Sequence, residues 1–77
     1  MEMMPNAQQT LDRDYLEMRW RCLSLAADLD RIERAESGKA VLSSDPRVQR
    51  LRQAITVLLR DEPGRADAVQ NIFSEKC

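Results

Sequence analysis

The stretch TLDRDYLEMRWRCLSLAADLDRIERAE, residues 10–36, decides the fold class of this chain. Within it Leu11, Tyr15, Met18, Cys22, Leu25, Leu29 and Ile32 recur at alternating steps of four and three residues. That spacing keeps one seam of an α-helix turned toward a neighbouring helix. A seven-residue repeat drifts by only about 20° per heptad on an ideal helix, so the seam suits packing along a partner rather than across it. No Gly or Pro interrupts the stretch. The reading is one helix over about residues 11–36, roughly 39 Å long. Thr10 is the expected N-cap, with Asp12 and Asp14 in the first turn, where negative charge suits the helix dipole. Gly38 is the expected left-handed residue after its end.

A second row on the same helix, Leu16, Trp20, Leu23 and Ala27, lies about 100–140° around from the first. The apolar arc over residues 15–27 is therefore far wider than the ~100° that one neighbouring helix requires. Two neighbours are needed to cover it.

Working outward, residues 1–9 carry Pro5, Asn6 and glutamines without periodicity and are expected to be a flexible lead-in to one helical domain, 10–77. Downstream, Ser37–Ser44 reads as a short connection whose Ala40-Val41-Leu42 tucks under the bundle. Asp45-Pro46 then marks a second helix, about 46–60, with Asp45 as N-cap and Pro46 at the first helical position. Its Val48, Leu51, Ile55 and Leu58 repeat the helical spacing, widened by Ala54 and Leu59. Pro63-Gly64 breaks the pattern, and Ala66, Val69, Ile72 and Phe73 predict a third helix, about 65–74. No strand alternation occurs, so the class is all-α. The expected architecture is one long helix packed antiparallel against a returning arm of two shorter helices. It is a three-helix bundle or a broken hairpin, and it dimerises into a larger helical bundle.

Length makes a partner attractive. A chain of 77 residues buries only about 60–65% of its unfolded surface and needs a supplement to its core. Disulfides are a poor supplement. Cys22 sits on the apolar seam and reads as a small buried hydrophobe, while Cys77 is terminal. There is no His and no CxxC, so no metal-ligand pattern is present and no cofactor is expected. A second copy of the chain remains. The N-terminal residues lack a basic start and an apolar run, and nothing approaches a membrane span, so a cytoplasmic protein is expected.

Charge is uneven under a net value of −1. Residues 46–60 hold four arginines and no acid, whereas the flanking 10–37 and 61–77 are each net −2. Arg47, Arg50, Arg52 and Arg60 are thus candidate phosphate contacts. Acidic segments on either side favour neutralisation within the bundle instead. The second and third helices are a poor helix-turn-helix, because Asp61, Glu62 and Asp67 surround the end that would enter the groove.

Catalysis lacks a constellation. Without His there is no ordinary general base near neutral pH, and Ser and Cys have no base at a telling spacing. Glu33 and Glu36 share a face, but Asp28/Arg31, Asp30/Arg34, Glu17/Arg21 and Arg13/Glu17 describe a salt-bridged surface. Gly38-Lys39 lacks the rest of a phosphate loop. No small-molecule substrate is evident. The leading expectation is a non-enzymatic protein–protein interaction module that self-associates, with Leu16, Trp20, Leu23 and Ala27 meeting the partner. The first seam would pack on the second and third helices. A nucleic-acid-associated regulator using the arginines is the alternative, and a heteromeric adaptor or antitoxin-like partner is a further one.

Overall fold

Helix formation begins earlier than the apolar pattern does. In the computed structural model, which describes residues 5–74, helix α1 spans Ala7–Arg34 and is capped by Asn6 rather than Thr10. The Asn6 side chain accepts from the Gln9 backbone N–H at 2.8 Å, and the Gln9 side chain accepts from the Asn6 N–H at 2.9 Å. This reciprocal box satisfies two donors that a helix start leaves orphaned. Residues 7–9 are therefore helical, not lead-in, and Asp12 and Asp14 fall beyond the first turn. The expected lead-in residues 1–4 lie outside the described residues.

Four helices form, and no strand occurs among the described residues. After α1 come α2 (Gly38–Ser44), α3 (Pro46–Leu58) and α4 (Arg65–Phe73). The segment read as a connection is the short helix α2. The corner before it assigns its two special residues differently from the sequence reading. Ser37, not Gly38, is left-handed, with φ 64°. Gly38 is instead buried against the end of α1 and donates its N–H to Ala35 O at 2.9 Å. A Cβ at Gly38 would meet the Ile32 and Glu33 carbonyl oxygens, with the Glu33 carbonyl carbon 2.7 Å away. Left-handed backbone costs an ordinary residue about 1–2 kcal/mol, which Ser37 can bear. Backbone overlap has no such escape, so the glycine goes where the chains touch.

Asp45 starts α3. Its carboxylate accepts from the Arg47 N–H at 2.8 Å and pairs with the Arg47 guanidinium at 2.9 Å. The Arg47 side chain first, and its backbone N–H second, hold the Asp45 carboxyl down at about 2. A depressed carboxylate stabilises the fold above its unfolded value, and that contribution disappears as pH falls through the folded value. Stability followed by circular dichroism should therefore fall between about pH 4 and pH 2, and Asp45→Asn should flatten that part of the profile. Gln49 adds a tie between helices, donating to Ser43 O at 3.2 Å.

At the other end of α3, Pro63 and a left-handed Gly64 (φ 85°) turn the chain into α4. Arg65 reaches back and donates through Nε to Arg60 O at 2.9 Å, placing a cation where the carbonyls of α3 end. Val57, with Val48 and Ala54, is buried, and these three apolar residues on α3 are the core of the described chain.

The expected antiparallel packing on α1 is not seen. Its backbone comes within 8 Å of α2 alone, while α2 approaches α3 and α3 approaches α4. The physical reason is α2. Seven helical residues carry the chain about 10 Å before α3 begins, so α3 starts away from the axis of α1. The end of α1 and α3 face each other across an open groove. Leu29 shares a groove of about 330 Å³ with Leu42, Val48, Leu51 and Ile55. The result is elongated, 57 × 31 × 20 Å, with a radius of gyration of 16.2 Å against about 11.5 Å for a compact chain of this length.

Candidate functional site: the open half of helix α1

A 28-residue helix extends about 42 Å, and among the described residues its large apolar side chains are covered only in the last third. Leu25, Leu29 and Ile32 are half-buried there, as the first seam predicts for its final rungs. Upstream the seam is bare. Leu11, Tyr15, Met18 and Cys22 are exposed, and with Leu23 and Arg19 they outline an open apolar groove along the helix. Cys22, expected to be buried, is an exposed free thiol. No residue of α1 is fully buried.

The second row is barer still. Leu16 is 72% exposed, Trp20 65% and Leu23 53%, whereas Ala27 is half-buried. At 100° per residue the exposed rungs of the two rows are centred roughly 140° apart, at the upper end of the range read from sequence, and so face different sides of the helix. The open half of α1 is a blade with apolar side chains on both sides. Sequence periodicity finds both rows but cannot tell which residues the rest of the chain leaves uncovered. Leu11, Tyr15, Met18 and Cys22 consequently join the candidate surface.

Charged residues edge the blade. Arg13 lies 2.8 Å from Asp14, and its hydrogen bond holds that carboxyl below the ordinary range. Arg13 therefore turns to Asp14 rather than to Glu17. Arg21 pairs with Glu17 at 3.4 Å, and Arg31 pairs with Asp28. All of these side chains are well exposed, so each pair contributes little to the monomer's stability.

The four arginines of the basic segment are not gathered. Arg47 is engaged by Asp45, Arg50 is half-buried, and Arg52 forms part of the wall of the groove shared with Leu29. Arg60 lies beyond the end of α3, beside Ile72 and Val57. On the helical wheel Arg52 points about 140–160° away from Arg47 and Arg50. Phosphate-binding edges need cations on one side, and this segment spreads them around the helix.

Among the described residues, no three His, Cys, Asp or Glu side chains are grouped to hold a metal ion. No described helix is long and apolar enough to cross a membrane. Compared with known protein families, curated proteins and solved structures, the chain matches no family model, no protein and no structure.

Proposed function

We propose that this chain is a non-enzymatic helical interaction module that self-associates through the open half of α1. The observation that carries the reading is the exposure of every large apolar side chain from Leu11 to Leu23, while three apolar residues are buried among those described. The chain as a whole is open: it exposes 7018 Å², about 2,200 Å² more than a compact monomer of 8.9 kDa. A stable interface requires roughly 800 Å² from each partner. Contiguous apolar patches of this kind mark association surfaces rather than ordinary solvent-facing helix. Burying about 25 cal/mol per Å² of apolar surface on association supplies what the small core does not.

Sedimentation equilibrium at tens of micromolar tests the proposal. The wild type should sediment at twice its 8.9 kDa. A variant combining Met18→Glu with Trp20→Glu places a charge on each apolar row and should sediment as a monomer. A monomeric wild type would refute self-association. An unchanged dimer in the double variant would move the interface off α1.

A further inference from the structure

The two apolar rows of α1 differ in what flanks them, and the flanks select one row, one direction and one register. Beside the Leu11–Tyr15–Met18–Cys22 row, the positions next to the seam are Asp12 and Arg19 on one side and Asp14 and Arg21 on the other. Each side thus carries an acid near the start of the open stretch and a base seven residues later. A single helix gains little from that order. Two copies laid head to tail gain a complete set of opposite-charge neighbours.

We propose that the second copy docks antiparallel on this row, with the local two-fold axis passing between Leu16 and Glu17. The inference rests on the self-association proposed above. In this register Tyr15 faces Met18 of the second copy and Leu11 faces its Cys22, each layer occurring twice. In antiparallel helix pairs like flanking positions meet like. Asp12 therefore lies beside Arg19 of the second copy, and Asp14 beside its Arg21, giving four opposite-charge neighbours by symmetry.

Sliding one copy by a heptad destroys the match. One direction brings Asp12 against Asp12 and Asp14 against Asp14. The other brings Arg19 against Arg19, Arg21 against Arg21 and Asp14 against Asp28. Like charges across such a seam are a device for rejecting alternative pairings. A parallel pair keeps Asp14 beside Arg19 but sets Asp28 beside Glu33, and it brings both α2–α4 segments to the same end. The Trp20 row has no comparable code. Its antiparallel registers place Glu17 against Glu17 and Arg19 against Arg19, or Asp12 against Glu33.

The exposure of the seam agrees with the centre of the dyad. The seam is exposed at Leu11 through Cys22 and half-buried from Leu25 onward, so the free stretch is centred near residue 16. Antiparallel docking there covers both free stretches and carries each α2–α4 segment beyond the opposite end.

Oxidative cross-linking of the full chain with Cys77→Ser reads the register directly. A thiol introduced by Leu11→Cys should link to Cys22 of the second copy and give a disulfide dimer on a non-reducing gel. Positions 11 and 22 of one helix are about 16 Å apart, so an intrachain bond cannot substitute. Without Leu11→Cys, the two Cys22 thiols are separated by a similar distance and should not link. A dimer that links through Cys22 alone would be parallel and would overturn the proposal. So would a dimer that links in neither variant. A monomer by sedimentation would instead defeat self-association itself.

Charge exchange gives a second readout. Asp12→Arg with Asp14→Arg should weaken self-association at least tenfold, and so should Arg19→Asp with Arg21→Asp. Mixing the two variants should restore dimerisation, because every flanking neighbour in the mixed pair is again of opposite sign. Failure of the mixture to recover would reject the register.

Discussion

Replacing Gly38 by alanine is expected to destabilise the chain by about 2–3 kcal/mol. The added methyl has no direction in which to relax, because it meets main-chain atoms of Ile32 and Glu33 rather than the end of a flexible side chain. Relief requires moving the start of α2 off the end of α1, which opens the groove shared by Leu29, Leu42 and Ile55. The measurement is a urea midpoint at fixed protein concentration, since association shifts apparent stability. Gly64→Ala is the informative comparison. Nothing lies within 4 Å of its Cβ position, and only the φ of 85° opposes the substitution. Its cost should be about 1 kcal/mol. Equal costs at the two glycines would mean that the α1–α2 corner is not held as tightly as its geometry indicates.

Val57→Asp should have the larger effect, about 3–5 kcal/mol, because it places an unpaired carboxylate in the core. Val57 is 3% exposed, the lowest among the buried apolar residues, and lines a groove with Ile72 of α4. A domain of this size has little stability in reserve, so the variant should lose most of its far-ultraviolet helical signal at 25 °C. Leu59→Asp, two residues on, sits at a position that is 80% exposed and should change stability by less than about 0.5 kcal/mol. If both variants unfold, α3 is covered by something beyond this chain. If neither does, the three-residue core is not what holds α3 and α4.

The contrast between those neighbours shows how far periodicity reaches. Val57 and Leu59 are both aliphatic and both near the end of α3, yet one is in the core and the other in solvent. Spacing alone placed Leu58 on the packed face, and Leu58 is exposed. On α1 the same limit appears on a larger scale. Leu11 and Leu29 belong to one seam at one angle of the wheel, but Leu29 is half-buried beside a groove lined by α2 and α3 while Leu11 is exposed. A seam records which side of a helix is apolar. It carries no mark of where along that side a neighbour begins.

Local chemistry was legible where it is local. Asp45-Pro46 begins α3, Pro63-Gly64 separates α3 from α4, and the Glu17/Arg21 and Asp28/Arg31 pairs form as their spacing implies. The cap of α1 stands four residues before Thr10, where no apolar periodicity marks it. Asn6 prevails over Thr10 because Gln9 completes a reciprocal box with it. The short helix α2 was hidden because seven residues are too few to display a period.

By itself, the sequence determined an all-α chain, the helical course of residues 11–34, and two apolar rows on one helix. Those properties depend on interactions between residues three and four apart. Only the tertiary structure decided that Gly38 closes the α1–α2 corner, that α2 carries α3 away from α1, and that both rows stay bare from Leu11 to Leu23. Those outcomes depend on where one element's backbone stops another's approach, and a pattern of side chains along a single helix does not contain that distance.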